Sequence, residues 1–167
     1  MSEKHFSESV KLKLQNHFEF IPEIKGSHFS GNRFKLDYLI IPKNRTGWKN
    51  QSIVFGLEFK DLKKIDGDTK NYTKWLGQCI DYSNTNWDNY GFINILTCPG
   101  IRDSNFMKSV DQTFLLVRIL GQLGIGELKQ IDNYGWTLTL NDHRIWSEKK
   151  GVECGEKWDL QRKFGSR

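Results

Sequence analysis

The chain has 167 residues, 37% of them apolar and 13% aromatic, which is enough to bury one core and argues against a disordered chain. Lysine and arginine outnumber aspartate and glutamate by 25 to 20, a formal net charge of +5 that favours polyanionic partners. The cysteines, Cys79, Cys98 and Cys154, are far apart and form no Cys-x-x-Cys pair, which argues against a disulfide framework or a zinc knuckle. The opening Met1-Ser2-Glu3-Lys4-His5 lacks the apolar run of a signal peptide, and no segment is long enough to span a bilayer, so the expected location is cytoplasmic, or nuclear in a eukaryote.

In chain order, Ser7 to Phe18 reads as a helix capped by Ser7 and ended by Phe20-Ile21-Pro22, because proline disfavours helical geometry in the residue before it. Gly26 to Asn32 reads as a polar connection, and Arg33 to Ile41 as a strand carrying Asp37. After a loop from Pro42 to Gln51, the β-branched and aromatic run Ile53 to Lys60 is the expected central strand. Asp66-Gly67-Asp68 signals a turn. Tyr72 to Ser83 has helical spacing, Phe92 to Thr97 reads as a short buried strand, and Asp111 to Leu123 as a second apolar-faced helix. Gly135 to Leu140 and His143 to Trp146, joined by Asn141-Asp142, read as a β-hairpin. The mixed-charge tail from Ser147 offers Trp158 and Phe164 as docking points. The order of elements predicts an α/β domain with a central mixed sheet flanked by helices.

Glu58 and Lys60 are two apart, so a strand would project both from one face. Charges half-buried at the end of a core strand are costly unless they are paired or bind a metal. Metal-dependent phosphodiester cleavage is one chemistry that needs them. Taken singly, Glu-x-Lys, a lone Asp37 or the helix pair Gln78 and Tyr82 is an ordinary surface feature. Their order and separation carry the signal.

Asp37, then Glu58-Phe59-Lys60, then Gln78-Cys79-Ile80-Asp81-Tyr82 together resemble the PD-(D/E)xK nuclease superfamily, in particular its branches with a Gln-x-x-x-Tyr helix. The likeness covers about Ser7 to Tyr82. Leu36 stands where the family's proline would precede Asp37, and the gap from Asp37 to Glu58 is long. The resemblance implies a restriction-endonuclease-like core at about 7–123 of a single domain spanning 1–167, with 124–167 as a C-terminal hairpin and charged extension. It implies Asp37, Glu58 and the Phe59 backbone carbonyl as ligands of Mg²⁺ or Mn²⁺, hard cations that prefer oxygen. Lys60 would orient the attacking water or stabilise developing charge, while Gln78 and Tyr82 would brace the site or touch DNA. Glu8 falls where the family places a first-helix glutamate; Glu3, Glu19 and Glu23 compete for that role, as does a simple helix-dipole partner.

The activity so implied is hydrolysis of DNA by a small endonuclease of phage or mobile-element type. Lys63, Lys64, Lys70 and Lys74 would follow the phosphate backbone. Trp75 and Trp87 are better explained by core packing than by base stacking. Lys149, Lys150, Lys157, Arg162 and Lys163 are interleaved with acids, and His143-Arg144 sits in a turn; a solvated surface accounts for both. A catalytically inactive DNA-binding or accessory protein retaining the nuclease fold is the alternative. A hairpin such as 135–146 could serve a homodimer.

Overall fold

A computed structural model describes residues 2–61, 63, 69–103 and 110–153, without the side chains of 110–112. The expected turn at 66–68, Lys64, and the tail residues Lys157, Trp158, Arg162, Lys163 and Phe164 lie outside the described residues. Helix α1 spans Glu3–Leu14, four residues earlier than expected. Ser2 rather than Ser7 caps it, accepting a hydrogen bond from the His5 N–H at 3.3 Å. Ser7 is buried and donates to the Lys4 carbonyl. Val10 and Leu14, one turn apart on the same helix face, sink into the core beside Phe18, which already belongs to the next strand.

That strand, β1 (Phe18–His28), replaces the expected helix end and loop. It pairs antiparallel with β2 (Arg33–Pro42) from Phe18↔Pro42 to Ser27↔Arg33. Pro22 is tolerated because the outer edge of β1 is paired only at 26–28, by β4 (Thr85–Trp87), so no ladder bond is needed from Pro22 there. Strand β3 (Phe55–Phe59) follows, then α2 (Thr69–Ser83), β5 (Asn94–Cys98), a 3-10 turn (Ile101–Asp103), α3 (Val110–Gln122) and β6 (Ile125–Ile131). The hairpin β7 (Gly135–Leu140) and β8 (His143–Ser147) and a short β9 (Gly151–Val152) complete the chain as described. Asn141 and Asp142 both take positive φ, 52° and 64°, as a two-residue hairpin turn requires.

Among the described residues the strands form one mixed sheet, ordered β4-β1-β2-β3-β5-β6-β7-β8-β9, with β3, β5 and β6 parallel. The fold is therefore α/β with a large mixed sheet flanked by helices. Phe55, Leu57 and Phe59 point to the α1 side, while Gly56 and Glu58 point to α2. On that second side Tyr72, Trp75 and Cys79 of α2 pack with Val117 and Leu120 of α3. Trp75 and Trp87 are both core residues.

Residues 124–152 are not an appendage. Strand β6, expected as part of no element, runs parallel to β5 and carries the hairpin into the same sheet. Gly126 and the buried charge of Glu127 interrupt its apolar pattern; Glu127 is 1% exposed and is held by Lys129, the Ile101 N–H and the Thr139 hydroxyl. Beyond the hairpin, β9 pairs along the outer edge of β8. No helix among the described residues is long and apolar enough to cross a membrane.

A methyl group at Gly126 would sit 2.3 Å from the carbonyl oxygen of Thr139, a backbone atom of the paired strand that cannot swing aside. Gly126→Ala is expected to destabilise the protein by about 2 kcal/mol through overpacking. An unchanged urea midpoint would contradict this placement of β6.

Candidate active site

The site begins where two strands part. The β2–β3 ladder ends at Tyr38↔Leu57, yet β3 continues beside β5 as far as Phe59↔Cys98. The Phe59 N–H on the β2 side is therefore left without a backbone partner, and the Asp37 carboxylate takes it at 2.9 Å. On the other side the Lys60 N–H donates to the Cys98 carbonyl, so β3 is held straight up to Lys60. Asp37, Glu58 and Lys60 thus meet at the carboxyl end of the parallel strands, the place where open α/β sheets hold their ligands.

Helix α2 closes over this point. Gln78 and Tyr82 are four apart and share a helix face. The Gln78 side-chain amide donates to the Glu58 carboxylate at 2.9 Å and to the Tyr82 hydroxyl at 2.8 Å. The Tyr82 hydroxyl in turn donates to the Lys35 carbonyl at 2.9 Å. One chain of hydrogen bonds therefore links β2, α2 and β3 through two side chains of one helix. Burial, and then the negative charge of Glu58, raise the Tyr82 phenol well above its ordinary range, so it stays a neutral donor.

Glu58 is only 5% exposed and faces another acid. Burial first, and then the charge of Asp37, push its carboxyl up to about 9, while Lys60 pulls the other way. Asp37 is also raised by burial, against the lowering effect of its bond to Phe59. The charge of Asp37 thus opposes ionisation of Glu58, as expected where two carboxyls share one site.

Glu8, expected as the first-helix acid, is exposed on α1, where it accepts a hydrogen bond from the Tyr38 hydroxyl at 3.1 Å. The acid that α1 presents is Glu3. Its carboxylate accepts from the Asp61 N–H at 3.2 Å, and its charge raises both Asp37 and Glu58. Because the helix starts at Ser2, its first turn rather than its second reaches the site. The signal for this was present: Ser2 is a good cap with an acid just after it. An open cleft of about 410 Å³ lies beside Asp37, lined among others by Glu3, Lys4, Lys35 and Tyr38. Lys63, Lys70 and Lys74 are exposed.

The pair suits a hard divalent cation. The Phe59 N–H and the Gln78 amide each take up one carboxylate oxygen of the pair, and the oxygens that remain are hard donors of the kind such a cation prefers. Among the described residues no three His, Cys, Asp or Glu side chains form a ready-made cage, so the fit rests on two carboxylates and a backbone oxygen. A second Glu-x-Lys on a parallel strand, Glu127 and Lys129, shows the contrast. There the lysine closes on the glutamate at 2.7 Å, and both Glu127 oxygens are already taken by donors. That glutamate anchors the turn after β5 and leaves nothing for a ligand.

Since Glu58 is raised in the folded protein from the usual 4.5, the folded state keeps a proton that the unfolded chain releases. Its contribution to stability is complete below about pH 4.5 and is lost as pH climbs toward about 9. In EDTA, the melting temperature of the wild type should fall over that window more steeply than that of Glu58→Gln. Equal slopes would show that Glu58 titrates normally. No protein-family model, curated protein or solved structure matches this chain, and its chemistry has to be read from the side chains themselves.

Proposed function

We propose that the chain is a metal-dependent DNA nuclease with a restriction-endonuclease-like core of the PD-(D/E)xK type. The observation that carries this is the meeting of Asp37 and Glu58 at the parting of β2 and β3, with Lys60 close enough to act on both. Two carboxyls pressed together and shielded from water destabilise a fold unless something offsets their charge. A proton does so in the free protein; Mg²⁺ or Mn²⁺ would do so in the working one.

Asp37, Glu58 and the Phe59 carbonyl would hold the ion, and a bound ion would polarise the phosphate and acidify the attacking water. The chain's own residues do the rest. Lys60 orients the water or meets the negative charge that develops on the phosphate. Gln78 fixes the Glu58 carboxylate, and Tyr82 fixes Gln78 against the backbone of β2. Glu3 adds a third negative charge at the mouth of the cleft. Exposed Lys63, Lys70 and Lys74 attract the phosphate backbone from the α2 side. Homodimer formation would bring two such sites onto one duplex.

The exposed Lys63, Lys70 and Lys74 equally suit a second reading, in which the fold binds DNA without cutting it. Cleavage assays on supercoiled, linear, single-stranded and branched DNA separate the two. Mg²⁺- or Mn²⁺-dependent breaks support the nuclease. Salt-sensitive binding with no breaks on any substrate supports the binding protein. For the nuclease, Asp37→Ala, Glu58→Ala and Lys60→Ala should each lower the rate by at least about a hundredfold. Glu3→Gln should slow it more than Glu8→Gln does; the reverse order would restore Glu8 to the role expected from its position.

A further inference from the structure

The β1–β2 hairpin runs on past the last β2–β3 pair for five residues of β2, Arg33 to Asp37, on the end of the sheet where the carboxylates lie. Its tip carries Phe29, 79% exposed. The tip is well built. The His28 N–H donates to the Asn32 carbonyl and the Gly31 N–H to the His28 carbonyl, both at 2.9 Å, with Gly31 at φ +87°. The Phe29 ring lies against the buried imidazole of His28, centroids 4.1 Å apart. That imidazole is fixed by Ser30, whose hydroxyl is 2.8 Å from Nδ1, and by the Phe34 ring. The shaft is braced from α2 by the Tyr82 bond to Lys35 and along its edge by the pairing of Gly26, Ser27 and His28 with β4.

The strand register sorts the shaft into two faces. Ile24↔Leu36 and Gly26↔Phe34 turn toward α2 and the core, so Lys25↔Lys35 and Ser27↔Arg33 turn outward. Three cations therefore line one face between Asp37 and the tip. Lys35 pairs with Glu23 and Arg33 with Asp88, but all four side chains are at least half-exposed or close to it, where such pairs exchange easily for phosphate. A phosphate track that ends at a rigid, uncovered aromatic ring is the arrangement that single-stranded nucleic acid recognises.

Building on the nuclease reading, we propose that this hairpin binds the substrate strand and that Phe29 stacks on an unpaired base. At about 3.3 Å per strand residue the ring lies roughly 20 Å from Asp37. That is about six nucleotides from the cleaved bond at 3.4 Å per nucleotide. The preferred substrate is DNA with a gap, flap or frayed end at that distance rather than a continuous duplex.

The test measures binding of a fluorescein-labelled gapped duplex and of the continuous duplex to the full chain in EDTA, with cleavage in Mn²⁺ run alongside. Wild type should favour the gapped DNA. Phe29→Ala should bind it about tenfold more weakly and Phe29→Trp within about twofold of wild type. Leu12→Ala, which removes another exposed apolar side chain (64%) on α1, should match wild type. Equal affinity of Phe29→Ala and wild type overturns the stacking role, and so does an equal loss in Leu12→Ala. If wild type cleaves normally in either case, the nuclease reading stands. A wild type that neither binds nor cleaves any of these DNAs overturns both.

Discussion

The bond from the Phe59 N–H to the Asp37 carboxylate stands in for a missing stretch of β-ladder, and much of the site follows from it. A sheet that stayed paired to the end of β3 would satisfy that N–H with backbone and leave Asp37 to solvent. Because β2 and β3 part after Tyr38↔Leu57, the side chain must turn inward, and there it meets Glu58. Burial of two acids side by side is unfavourable by several kcal/mol if both are charged. The surrounding residues reduce that cost without removing it. Gln78 donates to Glu58, Lys60 supplies a nearby positive charge, and burial beside Asp37 favours the protonated form of Glu58. On the proposed reading, a divalent cation would supply the remaining positive charge.

Among the described residues, three Glu-x-Lys tripeptides lie on a strand or at its end, and they show why neighbours rather than motifs decide chemistry. Glu23-Ile24-Lys25 lies on the exposed shaft of the hairpin, where Glu23 reaches Lys35. Glu127-Leu128-Lys129 is buried, but its acid is satisfied by three donors. Glu58-Phe59-Lys60 alone places its acid against the carboxyl that closes a strand gap. All three tripeptides look alike in the sequence. Their order relative to Asp37, Gln78 and Tyr82 was what singled out the middle one.

Much of the frame was legible. The alternation in Arg33 to Ile41, the β-branched run before Glu58 and the spacing of Trp75, Cys79 and Tyr82 predict elements within a few residues of those observed. The hairpin signal at Asn141-Asp142 also points to the turn that forms. Strands β1 and β6 were hidden for physical reasons. In β1, Pro22 reads as a stop, although an outer edge without a ladder tolerates it. In β6, Gly126 and Glu127 break the apolar run, because the strand is shaped to fit against Thr139 and to bury an ion pair. The shift of α1 to a Ser2 cap was hidden because Ser7 offers a capping side chain of the same kind one turn later. That shift exchanges Glu8 for Glu3 at the site, a difference of more than one helical turn. The basic face of the β1–β2 hairpin was not legible at all, since it depends on the register of a strand the sequence conceals.

The most direct test of the account is calorimetric titration of the free protein with Mn²⁺ near neutral pH, in buffers of differing ionisation enthalpy. The account predicts that binding releases about one proton, the one that the raised Glu58 carboxyl retains, and that Asp37→Asn loses both the binding and the release. Binding of equal strength in Asp37→Asn, or binding without proton release, would contradict it.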